Sequence, residues 1–180
     1  PEQGAGRSSF LSRYLARIGL ASRPAPTLEG LALLQAAHQA AIPFESFDAL
    51  TGAGVDIDSH AIEVKLVDRR RGGYCFEQNA LFLRVLTELG FDAEGLIGRV
   101  RWMLPDDAPA TPRTHMTIRV RLGGRPRLVD VGFGATVPPQ PLAMDQPGAA
   151  QPTRHETYRL TPHGGGYRVE AAVAGEWRVL

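Results

Sequence analysis

Thr114-His115-Met116-Thr117-Ile118-Arg119-Val120-Arg121-Leu122-Gly123-Gly124-Arg125-Pro126-Arg127-Leu128-Val129-Asp130-Val131-Gly132 is a β-hairpin written in one line. Met116, Ile118, Val120 and Leu122 alternate with His115, Thr117, Arg119 and Arg121, the two-residue period of a strand with one buried face. Gly123-Gly124 is a two-residue turn, because glycine accepts the positive φ that tight hairpins need. If so, Leu122 faces Arg125, and counting back puts His115 opposite Gly132 and Asp130 opposite Thr117. His115 and Asp130 then become diagonal neighbours on one face, with backbones roughly 7–8 Å apart, a gap that these side chains bridge. A four-residue loop keeps that shared face, whereas a three-residue loop would separate the pair. The apolar pattern favours the even loop independently, since it sets Met116 and Ile118 beside Val131 and Val129.

The chain around the hairpin divides in two. Upstream, Leu96, Gly98, Val100 and Trp102 alternate with Ile97, Arg99, Arg101 and Met103, and downstream Tyr158/Leu160, Tyr167/Val169 and Trp177/Val179 mark three further strands joined by glycine-rich turns. Five prolines between Pro138 and Pro152 read as a connecting loop. From Phe10 to Gly90 the spacing is helical instead. Leu11, Tyr14, Leu15 and Ile18 share one face up to Gly19. Thr27 can cap a second helix whose buried stripe, Leu28, Leu31, Leu34 and Ile42, ends at Pro43. Phe82, Val85, Leu86 and Leu89 form a third stripe before Gly90. This is an α+β chain, with a helical unit over 1–91 and a β unit over 92–180.

With 180 residues, 43% of them hydrophobic, the chain can bury a true core. Twenty Lys and Arg against 19 Asp and Glu leave a net charge of +1, too weak a field to gather nucleic acid or an anionic membrane. Arg69-Arg70-Arg71 has no stacking platform beside it and reads as a solvated edge plus one buried ion-pair partner. No apolar run reaches membrane-spanning length, and Pro1 to Arg7 has no secretory apolar core, so a cytoplasmic protein is expected. His38, His60, His155 and His163 are scattered and cannot supply a zinc site with a single cysteine, so no metal is expected. Asp106-Asp107 reads as a surface turn. The missing initial Met and the final Trp177-Arg178-Val179-Leu180, a strand with no closing turn, suggest a processed or truncated polypeptide.

That cysteine, Cys75, follows Gly72-Gly73-Tyr74 and opens the third helix. Unpaired N–H groups and the positive end of the dipole stabilise a thiolate at such a position. A lone cysteine is more often a small buried hydrophobe, His115 alone a strand-face histidine, and Asp130 alone a strand-end carboxylate bonded to a loop. Together they supply a nucleophile, a base to take and return its proton, and a carboxylate to fix the tautomer of the base.

Arg71-Gly72-Gly73-Tyr74-Cys75-Phe76-Glu77-Gln78-Asn79 resembles the nucleophile motif of the arylamine N-acetyltransferases. Tyr14-Leu15-Ala16-Arg17-Ile18-Gly19 resembles the family's opening helix, and Ile42-Pro43-Phe44-Glu45-Ser46 its Val-Pro-Phe-Glu-Asn segment. Thr114-His115-Met116 and Val129-Asp130-Val131-Gly132-Phe133-Gly134 are similar to the segments bearing its other two catalytic residues. The resemblance implies a Cys75-His115-Asp130 triad on a helical bundle followed by an antiparallel β-barrel, with a core like that of the cysteine peptidases. It also implies acetyl-coenzyme A as donor and an arylamine, hydrazine or hydroxylamine as acceptor, in a ping-pong reaction. By the same resemblance Arg17, Glu45 and Arg71 form an ion network beneath the site, Phe44 and Phe133 line the acceptor pocket, and Gly132 and Gly134 lie near the coenzyme A pyrophosphate. The family's third α/β domain is absent from the 180 residues, so exposed apolar barrel surface and self-association through it are expected. The competing expectations are an amide synthase closing a macrolactam with the same triad, a papain-like peptidase or transglutaminase, and a non-catalytic binding fragment.

Overall fold

The computed structural model describes residues 9–105 and 107–180. The readings placed on Pro1 to Arg7 and on Asp106 therefore lie outside the described residues, while Asp107 sits in an exposed turn.

Three longer helices stand where the apolar stripes predict them. Helix α1 (Phe10–Arg17) is capped by Ser9 and followed by Gly19 at φ 77°. Helix α2 (Leu28–Ala41) begins with Thr27 Oγ1 accepting the Gly30 N–H at 3.2 Å and stops one residue short of Pro43. Leu31 and Leu34 are fully buried, but Leu28, expected in the same stripe, is 39% exposed because it opens the helix at the surface. Two short helices, α3 (Phe47–Leu50) and α4 (Ser59–Glu63), carry no readable period; α4 runs directly into a π-helical turn over Val64–Asp68. Helix α5 (Cys75–Glu88) follows.

Among the described residues eight strands follow: β1 (Asp92–Arg99), β2 (Arg113–Leu122), β3 (Arg125–Val129), β4 (Leu142–Ala143), β5 (Gln151–Pro152), β6 (Thr157–His163), β7 (Gly166–Val173) and β8 (Glu176–Val179). All their pairings are antiparallel, and the ladders form two four-stranded sheets, β1-β2-β3-β4 and β5-β6-β7-β8. The hairpin register is the expected one. Leu122 pairs with Arg125 and Ile118 with Val129 across Gly123 (φ 56°) and Gly124 (φ 79°). Strand β1 starts and ends earlier than its alternation suggests, and Trp102 lies in a turn closed by Met103 at φ 63°. The proline-rich connection is not all loop. Leu142 pairs with Leu128, and Pro152 with Thr157, in stretches too short for alternation to show.

The first sheet contributes to two cores, one on each face of its central hairpin. Ile118, Val120, Val129 and Val131 join Tyr14, Leu31, Leu34, Phe82, Val85 and Leu86 in a core shared with the helices. Leu128, adjacent to Val129 and therefore facing the other way, joins Leu142, Met144, Tyr158, Leu160, Ala171 and Leu180 in a second cluster against the second sheet. Because the hairpin packs directly on α5, its open end is held against the first turn of that helix. Among the described residues, no helix is long and apolar enough to cross a membrane.

Candidate active site

Cys75 is the first residue of α5 and is 8% exposed. Its backbone is fixed from both sides. Behind it, Gly73 forms a parallel bridge with Phe44, the Glu45 N–H bonds to the Gly73 carbonyl at 3.0 Å, and the Tyr74 N–H is taken by Glu77 Oε2 at 3.0 Å. In front, the thiol donates to the Thr114 carbonyl at 3.5 Å, tying it to β2.

His115 and Asp130 meet as the hairpin register requires, His115 Nε2 lying 2.5 Å from Asp130 Oδ2. Cys75 lies near enough to His115 to favour the charged imidazolium. The second carboxylate oxygen of Asp130 accepts from Asn79 Nδ2 at 3.0 Å and from the Gly132 N–H at 2.8 Å, so all of its orientation is prescribed. Burial opposes the charged imidazolium, but the hydrogen bonds and charges of Asp130 and Cys75 outweigh it and raise His115 to about 9. The histidine is thus cationic at neutral pH and suited to stabilise a thiolate. The ring of Phe133 stands edge-on to His115, centroids 5.1 Å apart, and Phe44 is half exposed beside the Gly73 bridge.

Gly132 is required by proximity, because a Cβ there would lie 2.8 Å from Cys75 Cα and 2.9 Å from Asn79 Nδ2. Gly134, at φ 90°, faces open space. Of the three residues expected in an ion network, Arg71 pairs with Glu45 at 2.7 Å, while Arg17 stands apart. Its guanidinium is buried against main-chain oxygens, with Nε donating to the Leu66 carbonyl at 3.1 Å, because α1 ends against the π-helical turn. The network runs instead from Arg71 to Asp48 (2.8 Å), from Asp48 to Lys65 (2.8 Å) and from Lys65 to Glu77 (2.6 Å). Among the described residues, no group of three His, Cys, Asp or Glu side chains could hold a metal ion.

The N-acetyltransferase family model matches residues 27–180. The arylamine N-acetyltransferase of Mycolicibacterium smegmatis is 50% identical over 173 residues, 94% of this chain and 62% of that protein. The chain belongs to the arylamine N-acetyltransferase family. The structure of the Mycobacterium marinum arylamine N-acetyltransferase in complex with CoA superposes with a TM-score of 0.89 at 45% identity, over 94% of this chain and 63% of that one. A more distant relative, the proansamycin X synthase of Amycolatopsis mediterranei, is 35% identical over 93% of this chain and 64% of its own length. The chain spans about three fifths of the length of the curated relatives it matches.

Within this arylamine N-acetyltransferase fold a second set of polar groups surrounds the site, and no single residue type announced it. Tyr14 Oη bonds to His38 Nδ1 at 2.8 Å, and His38 Nε2 to Gln78 Oε1 at 2.7 Å. Gln78 in turn donates to the Pro43 carbonyl at 2.8 Å and the Gly73 carbonyl at 3.2 Å. Because the amide oxygen can only accept, His38 carries its proton on Nε2 and accepts from Tyr14. Burial lowers His38 to about 4, so it stays neutral and satisfied. The available signal was positional: His38 lies four residues after Leu34, and Gln78 and Asn79 sit between Cys75 and Phe82, all on buried helix faces.

Proposed function

We propose that the protein transfers an acetyl group from acetyl-coenzyme A to the nitrogen of an arylamine, hydrazine or hydroxylamine through a thioester on Cys75. The observation that carries this reading is the 2.5 Å contact between His115 Nε2 and Asp130, at a histidine whose charged form Cys75 also favours. Acetyl-coenzyme A brings the acetyl group already activated as a thioester. The Cys75 thiolate attacks the thioester carbonyl carbon, and the Cys75 N–H, in the first turn of α5, is the proposed donor to the developing oxyanion. His115 gives its proton to the departing thiol as the old carbon–sulfur bond breaks. In the second half the amine attacks acetyl-Cys75, its proton passes to His115, the C–N bond forms, and the thiolate–imidazolium pair is restored. Arylamines are weak bases and largely unprotonated near neutrality, so a positioned imidazole suffices.

In the same reading Phe133, edge-on to His115, and half-exposed Phe44 border the acceptor. Gly134 offers open backbone to the pyrophosphate, whereas the N–H of Gly132 is already taken by Asp130. The helical unit, 1–91, carries the nucleophile, the β unit, 92–180, carries its partners, and the two sheets are the proposed counterpart of the family barrel on a cysteine-peptidase-like core.

Steady-state kinetics with acetyl-coenzyme A and an arylamine test the proposal. Parallel double-reciprocal lines, with all transfer lost in Cys75→Ala, are expected; intersecting lines, or turnover surviving in Cys75→Ala, would refute it. The similarity to proansamycin X synthase supports a second reading, an amide synthase with a different acyl donor. It predicts that Cys75 ignores acetyl-coenzyme A and is acylated by a carrier-bound thioester.

A further inference from the structure

We propose that Lys65 and Glu77 act as a coupled positioning pair that sets the charge state of Cys75; this deepens the acyl-transfer reading and rests on it. Glu77 is 1% exposed and lies two residues past Cys75 in the first turn of α5. Its Oε2 holds the Tyr74 N–H at 3.0 Å, and its Cβ and Oε2 would each be 2.9 Å from a Cβ on Gly73. The carboxylate is therefore folded onto the Gly73-Tyr74-Cys75 turn that carries the nucleophile.

Such a group has two opposed effects. Its oxygen completes the helix start and fixes the turn, while its negative charge disfavours a thiolate next door. Lys65 removes the conflict. Its Nζ lies 2.6 Å from Glu77 Oε1, in a buried setting where an unpaired carboxylate would be costly. The lysine projects from the π-helical turn, and its remaining charge is met by Asp48 at 2.8 Å. The Tyr74 hydroxyl, pushed up by burial, also responds to Cys75 and Glu77 in one direction and to Lys65 in the other, which sets all four groups in one electrostatic neighbourhood. The other titratable and charged groups that face Cys75 or stand behind the pair are His115 on β2, Asp130 after β3, Asp48 on α3, and Arg71 with Glu45.

The chain has one cysteine, so the rate of iodoacetamide alkylation across pH reports Cys75 alone. Glu77→Gln keeps an oxygen for the Tyr74 N–H and removes the charge; the alkylation profile is expected to move to lower pH by about half a unit to one unit. Lys65→Met leaves the carboxylate unbalanced, and the profile is expected to move to higher pH by a similar amount. The double variant returns close to wild type. A merely structural pair would move both single variants the same way, toward the profile of a free thiol. Same-direction shifts, or a Glu77→Gln profile that is unchanged or raised, overturn the proposal. If Lys65→Met does not fold, the direction of the Glu77→Gln shift decides alone. Alkylation needs no acetyl donor. Opposite shifts without any acetyl transfer would keep the pair and sink the acetyltransferase reading, and acetyl transfer with same-direction shifts would do the reverse.

Discussion

Asn79 sits one helical turn past Cys75 and bonds in three directions, to Asp130 Oδ1, to the Met116 carbonyl (2.8 Å) and to the Val131 N–H (3.1 Å). Asn79→Ala leaves these groups unpaired, and urea unfolding is expected to show a loss of about 1–3 kcal/mol. Acetyl transfer should fall more than this stability loss explains, because Asp130 loses one of the groups orienting it. Asp130→Asn preserves shape but presents the wrong tautomer to His115; a drop in transfer on the order of 10³- to 10⁴-fold, with near-normal stability, is expected. The two histidines bracket stability from opposite sides. His115 is raised to about 9, so its contribution is complete below its unfolded value of 6.5 and is lost as pH climbs through 9. His38 is lowered to about 4, so its contribution is complete above 6.5 and is lost as pH falls through 4. Urea unfolding as a function of pH should therefore show a maximum near 6.5, with each limb falling by on the order of 3 kcal/mol. The alkaline limb should flatten in His115→Gln and the acid limb in His38→Gln.

The meeting of hairpin and helix depends on close approach. Gly132→Ala would drive a methyl group against Cys75 Cα and Asn79, backbone and buried amide that cannot move aside. A destabilisation of about 1–3 kcal/mol with a large loss of transfer is expected, measured by urea unfolding and single-turnover acylation. Ile118→Ala, in the core shared by the sheet and helices, should cost about 2–5 kcal/mol and touch catalysis only through stability. At this scale the sequence was most readable where a period and a turn coincide. The Gly123-Gly124 turn and the flanking alternation determined which residues share a face with His115, and the caps and prolines determined where α1 and α2 end. The π-helical turn, α3 and the two-residue strands were not readable, since none is long enough to repeat a pattern. The Arg71–Asp48–Lys65–Glu77 chain was hidden for another reason: charges from separate elements carry no spacing, and Arg17 entered the expected network through the family resemblance alone.

The whole molecule keeps large apolar side chains at its surface on both halves, with Leu50 81%, Phe47 63% and Ile57 59% exposed in the helical half, and Met103 86% and Ile97 49% in the β half. Concentration-dependent self-association is expected by sedimentation velocity. Met103→Ser should weaken it if the β face mediates contact, and Leu50→Ser if the helical face does. Two kinds of legibility met in the site. Cys75, His115 and Asp130 could be related through helix-start chemistry and strand register, whereas Tyr14, His38, Gln78 and Asn79 became visible only when the fold brought buried polar groups into line. In the proposed reaction Cys75, driven by His115 and Asp130, takes the acyl group itself. The most direct test of that step is mass spectrometry of the folded chain after brief exposure to acetyl-coenzyme A without amine. One acetyl group is expected, localised to Cys75, discharged on adding an arylamine and formed far more slowly in His115→Ala. A folded chain that gains no acetyl group, or carries it on another residue, would contradict the proposed reaction.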